Sequence, residues 1–350
     1  MEQLKKLRDL LATRSRSHPL RAVALVSLPI LAMFGLAGGL AWLGARHMDT
    51  EYEKPASYDM LLINEQVKRV KQGARGDIVI FGDSSGLMGI DPLILEQELG
   101  RSVQNFCTLA YAGPRGCAIV LEEYLKRNPV PELILFAFHP IQLIRQKQYD
   151  NWPKYIRKSF DKEVVPPTGP YKGVKNALST LLYDHVLYVP LRGSSGGYYG
   201  SPKAAQEAIR AGHGGVIDPN VIYLKDVQSG PKNIGFQGLA EGYVQNLQVL
   251  REVVDKYALK DVVLLRTPVA EHFVDEKGAL AAAYRDVAKK LAIEKDAGLL
   301  EGLAFFPAKY FSTMTHLNRY GKAEFSRALA EKLKPLLADG RGHEAAPSPQ

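Results

Sequence analysis

"DIVIFGDSSGLMGIDP", residues 77–92, decides how this chain is read. Residues 77–82 carry an unbroken apolar run ending at Gly82, the pattern of a short strand buried on both faces. Asp91 and Pro92 open a helix, the aspartate as N-cap and the proline at the first helical position; Gly100 closes it. Between strand and helix stand Asp83, Ser84 and Ser85. A tight turn explains them at the least. A nucleophile at the mouth of a parallel sheet explains them better, because ligands bind beyond the carboxyl ends of such strands.

Outward from this stretch, strands and helices alternate. Residues 102–106, 132–138, 261–267 and 303–307 read as further strands. Helices are expected over 114–127, 242–258, 276–293 and 318–337. Residues 141–235 break the pattern with Pro, Gly and Tyr and read as an insertion, with helices near 173–185 and 203–211. The expected fold class is α/β, a parallel sheet with helices on both faces, spanning 76–335. Residues 46–75 read as a partly helical stalk and 336–350 as a disordered tail.

The charge map excludes nucleic acid. The chain carries +8, and residues 1–21 alone hold six basic against two acidic side chains. The remaining +4 is spread over 329 residues, too dilute for a nucleic-acid footprint. The basic head precedes 24 uncharged residues, 22–45. At 1.5 Å per residue these span a hydrocarbon core of about 30 Å. Basic residues before the span and acidic ones after it predict a cytoplasmic N-terminus and an extracytoplasmic domain, most simply periplasmic. The expected layout is a basic segment 1–21, a signal anchor 22–45 and then the domain. Cys107 and Cys117 either form a disulfide or stay as buried thiols. No spacing suggests a metal site, and no cofactor is expected.

The stretch "GDS" at 82–84 resembles the first block of the SGNH (GDSL-type) hydrolases, and "HLNRYG" at 316–321 resembles their last. The resemblance implies a flavodoxin-like three-layer sheet, with Ser84 as nucleophile in the motif with Asp83, and His316 as base. It implies backbone N–H groups of Ser84 and Gly113 in an oxyanion hole. This sequence departs from the pattern three times: Thr313 replaces the aspartate three residues before the histidine, His139 replaces the oxyanion asparagine after the third strand, and the second-block glycine, Gly113, stands further from Asn105 than usual. Asp275 and Glu271 are candidate substitute acids, and a Ser–His dyad is the alternative. Asn318 and His272 are candidate substrate contacts, although Asn318 also suits a helix N-cap. Trp152, Tyr155, Tyr198 and Tyr199 either stack on sugars or pack the insertion.

One anchor followed by an extracytoplasmic domain is similar to SGNH-like proteins of polysaccharide O-acetylation and of teichoic acid D-alanyl transfer. That branch implies an esterase or O-acyltransferase acting on a polysaccharide. Its partners would be a membrane-bound O-acyltransferase or a polysaccharide synthase and export complex. A catalytically degenerate glycan-binding or assembly subunit is the alternative.

Overall fold

The computed structural model describes residues 2, 5–6, 23, 27–36, 39, 58–140, 151–161, 202–216, 239, 241–271, 279–293, 305–313 and 315–339. The expected helix near 173–185, His272, Asp275, Tyr198, Tyr199 and most of the expected anchor lie outside these residues. The chain divides into two compact units: residues 1–54 with 164–189, and residues 55–163 with 190–350. In the first unit residues 27–36 are helical, with Leu28, Leu31, Met33 and Phe34 exposed. Among the described residues no helix is long and apolar enough to cross a membrane.

The second unit is an α/β domain. In chain order it holds α1 (Tyr58–Lys71), β1 (Ile78–Gly82), α2 (Ser84–Gly89), α3 (Pro92–Leu99) and β2 (Val103–Asn105). A three-ten turn, Ala110–Ala112, leads into α4 (Gly113–Leu125) and then β3 (Leu133–Phe138). Next come α5 (Asn151–Asp161), α6 (Pro202–Ala211), α7 (Glu241–Lys256) and β4 (Val262–Arg266). After these come β5 (Val269–Ala270), α8 (Ala279–Lys290), β6 (Phe305–Phe306) and α9 (Arg319–Asp339).

Four parallel strands pair in the order β2-β1-β3-β4. Strands β1, β3 and β4 are buried at every residue, which is why they read as continuous apolar runs. The path from β1 to β2 runs one way along the sheet, and the path from β2 to β3 runs back past β1. Right-handed crossovers therefore put α3 and α4 on opposite faces. Helix α9 packs on α3, and α7 packs on α4. This arrangement is compatible with a three-layer α/β fold. The strand order reverses at β1 and β3, so the crevice beyond their carboxyl ends is where a ligand site belongs.

Three expectations are corrected. The strand expected over 303–307 does not extend the main sheet; Phe305 and Phe306 pair with Val269 and Ala270 in a separate two-stranded sheet. Residues 58–71, expected as stalk, form a core helix. Leu61, Leu62, Ile63, Val67 and Val70 are buried on it. Its buried Arg69 donates to the Asn105 carbonyl (2.8 Å) and lies over the Phe106 ring, and Glu65 pairs with Arg210 of α6. Burial lowers the Arg69 guanidinium to about 10. The described parts of the expected insertion, α5 and α6, pack on this same helix. Helix α9 runs to Asp339, into the segment expected as tail.

Candidate active site

Gly82 ends β1 against the backbone of β3. A Cβ there would lie 1.9 Å from the Ala137 carbonyl oxygen, so no other residue fits. Asp83 follows, buried, and caps α2. Its Oδ1 accepts from Ser85 N (2.9 Å) and Ser85 Oγ (2.5 Å), and its Oδ2 accepts from His139 N (2.8 Å). Ser85 Oγ also meets Thr267 Oγ1 at 2.8 Å. One carboxylate thus ties together the carboxyl ends of β1 and β3, and its serine partner extends the tie to the residue after β4. Burial pushes the Asp83 carboxyl up, with the hydrogen bonds opposing it. Asn105, fully buried at the end of β2, holds the other side of α2 by donating to the Gly86 carbonyl (3.0 Å).

The two serines are therefore sorted. Ser85 is buried and its hydroxyl is committed. Ser84, the first residue of α2, is half-buried, and its Oγ lies 3.0 Å from His316 Nε2. The two residues are 232 positions apart, brought together because one follows β1 and the other precedes α9.

His316 is held from its backbone. Its carbonyl accepts from Ser312 N (2.9 Å) and Thr313 N (3.3 Å), and Phe311 bridges Leu317. Thr313 Oγ1 accepts from the backbone N–H of His316 (3.1 Å) and of Thr315 (3.3 Å). Thr313 thus closes the loop and does not meet the imidazole, which corrects its expected place in the catalytic group. Glu271, a candidate substitute acid, is exposed and accepts from Ala308 N at 3.4 Å. Burial lowers the His316 imidazole to about 4, and among the described residues no carboxylate raises it. This shift favours the neutral imidazole at pH 7, and in the tautomer with the proton on Nδ1 the Nε2 lone pair faces the Ser84 hydroxyl.

The other expected site residues fall as follows. Gly113 opens α4 with φ +59°, a conformation that suits glycine. His139 is 3% exposed, and its backbone N–H donates to Asp83 Oδ2. Asn318 is fully buried: its Oδ1 caps α9 at Tyr320 N (3.1 Å) and Gly321 N (3.0 Å), and its Nδ2 donates to the Lys309 carbonyl (2.8 Å). It is a helix cap and not a substrate contact. Gly321 is packed by the same turn, 2.3 Å separating its would-be Cβ from the Tyr310 oxygen. Cys107 and Cys117 are buried free thiols, each pushed up by burial and by the Asp83 charge. Tyr155 donates to Asn64 (2.8 Å) and packs edge-on against Trp152, so these aromatics serve packing.

Sequence reasoning missed Ser85, Thr267 and Asn105 as supports of the nucleophile turn. Only Ser85 had a local signal, a hydroxyl two residues after a helix-capping aspartate. Among the described residues no group of three or more His, Cys, Asp or Glu is placed to hold a metal ion. Neither a family model nor a curated protein matches this chain.

Proposed function

We propose that this protein is a serine acylesterase or O-acyltransferase with an SGNH-like, flavodoxin-like three-layer domain. The observation that carries the reading is the 3.0 Å contact between Ser84 Oγ and His316 Nε2 at the carboxyl edge of a parallel sheet. Ser84 Oγ attacks the acyl carbonyl carbon while its proton passes to Nε2. Backbone N–H groups of Ser84 and Gly113 face the oxyanion. The tetrahedral intermediate expels the alcohol, which takes the proton from His316, and leaves an acyl-Ser84. Water then gives hydrolysis; a sugar hydroxyl gives transfer.

The charge-free segment 22–45 supports a single-pass anchor with a cytoplasmic N-terminus and an extracytoplasmic domain in a bacterial inner membrane. That setting favours ester-linked acyl groups, acetyl above all, on an exported or cell-surface polysaccharide. A membrane-bound O-acyltransferase or an export complex is the fitting partner. Ser84→Ala should abolish turnover of an aryl acetate, and a fluorophosphonate probe should label Ser84 in the wild type. A mutant as active as wild type defeats the mechanism.

One observation favours a second reading. The Thr313 hydroxyl is committed to the backbone, and the imidazole lacks a described carboxylate behind it. A glycan-binding or assembly subunit without turnover has the same shape. It predicts an unlabelled Ser84 in a domain that still binds polysaccharide.

A further inference from the structure

Lys322, in the first turn of α9, is 2% exposed. Its Nζ donates to the Val216 carbonyl (2.9 Å), and Gly215 comes so close that a Cβ there would lie 3.2 Å from that nitrogen. An ammonium has three N–H donors, and the Val216 carbonyl is the one acceptor that Lys322 meets among the described residues. Burial lowers the amine to about 8, with Asp91 opposing the shift from beyond ion-pair distance, so the cation dominates at pH 7. Burying such a charge without a counter-ion is costly. Beside it lies a cavity with room for about one water-sized particle. Met88, one turn after Ser84 on α2, lines it with Val216 and with Leu317, the residue after His316. Asn318, Lys322 and the exposed Arg319 stand on the polar side, and among the described residues no carboxylate lines it. The N–H groups of Tyr320 and Gly321 are taken by Asn318, so the pull on an anion comes from side chains and not from the end of α9.

We propose that this cavity is a binding site for a small monovalent anion of halide size. Two cationic side chains and no described carboxylate select the sign of the charge. The small space selects a halide over sulfate or phosphate, whose oxygens need more room. The apolar side formed by Met88, Val216 and Leu317 lowers the local dielectric and strengthens the attraction. The anion supplies the counter-charge that Lys322 lacks and accepts from its remaining donors. The cavity adjoins the loop that carries His316, so its occupant bears on how firmly that loop is held. The site does not rest on the esterase reading.

Thermal unfolding of the full-length protein in detergent tests the site, with chloride titrated in against gluconate at constant ionic strength. Tm should rise by about 3–5 °C and then saturate. A general salt effect instead keeps growing with concentration. Crystals soaked in bromide should show an anomalous peak beside Lys322 Nζ. Lys322→Met removes the charge in a side chain of similar length and should abolish both the saturable rise and the peak. No rise in Tm, a rise that never saturates, a cavity without bromide, or a saturable rise that survives in folded Lys322→Met overturns the proposal. The bromide map uses the wild-type protein, so it decides even where Lys322→Met fails to fold.

Discussion

The sharpest test of this site is its acid limb. Burial lowers the His316 imidazole from 6.5 to about 4. A drop of that size corresponds to about 3 kcal/mol against the imidazolium, and partial exposure of the ring trims it toward about 2 kcal/mol. Ser84 needs the neutral ring, so kcat/KM for an aryl acetate should rise between pH 3 and 5 and stay flat through pH 7. The price is paid in rate. The imidazolium formed during attack has no described carboxylate to stabilise it, and loss of that group costs about 10⁴ in triad enzymes. The same residue links pH to stability. Between pH 6.5 and 4 the unfolded chain protonates His316 while the folded chain does not. Its contribution to stability therefore falls as pH drops through this window, by up to about 2–3 kcal/mol. His316→Gln should flatten that slope in urea titrations run at successive pH values. A pH–rate inflection between 6.5 and 7, with the ring titrating there by NMR, refutes the reasoning. It would mean that an acid stands behind the imidazole after all.

Three further outcomes follow from the packing. Asn318→Ala removes the α9 cap and strands the N–H groups of Tyr320 and Gly321, so it should lower stability by about 1–3 kcal/mol in denaturant titrations, with KM unchanged; a raised KM at unchanged stability restores Asn318 as a substrate contact. Gly82→Ala drives a methyl into the Ala137 carbonyl and should cost more than about 4 kcal/mol, read as loss of soluble folded protein; a well-folded variant contradicts the close approach. A chain beginning at Gly76 loses five buried apolar side chains of α1, about 7–15 kcal/mol of burial, and should not fold, whereas one beginning at Pro55 should give a cooperative thermal transition; folding of the shorter chain returns α1 to the role of a stalk.

How much of this was legible depends on where each residue's partners lie. Strands β1, β3 and β4 were readable because both faces are buried, leaving apolar runs with sharp ends. Helix α3 announced itself through Asp91, Pro92 and Gly100, all local signals. Helix α2 did not: "SSGLMG" has two glycines in six residues. It forms because Asp83 caps it and because Gly86 lets it approach Cys107 and Ala137, where a Cβ would come within 2.8 Å of both. Helix α1 looked helical, but its place in the core was hidden. Glu65, Gln66 and Arg69 look like a solvated face until Arg210, Gly214 and Asn105 are brought to them. Ser84 and His316 carried motif signals at opposite ends of the domain. Thr267 carried none, since its contact with Ser85 spans 182 residues.

The two halves of the site are held by different means. The serine half is over-determined: Asp83, Ser85, Asn105, Thr267 and the backbone of His139 all fix the turn that presents Ser84. The histidine half rests on one small loop, whose bonds hold the backbone and leave the ring with Ser84 as its described polar partner. A ring placed this way is accurate in position but poor in driving force, because desolvation resists the charge it must accept. Only a group arriving from outside the loop can change that balance. An anion within about 4–6 Å of the imidazole would favour its charged form and raise its proton affinity. A substrate or partner that accelerates turnover must therefore act at His316 itself.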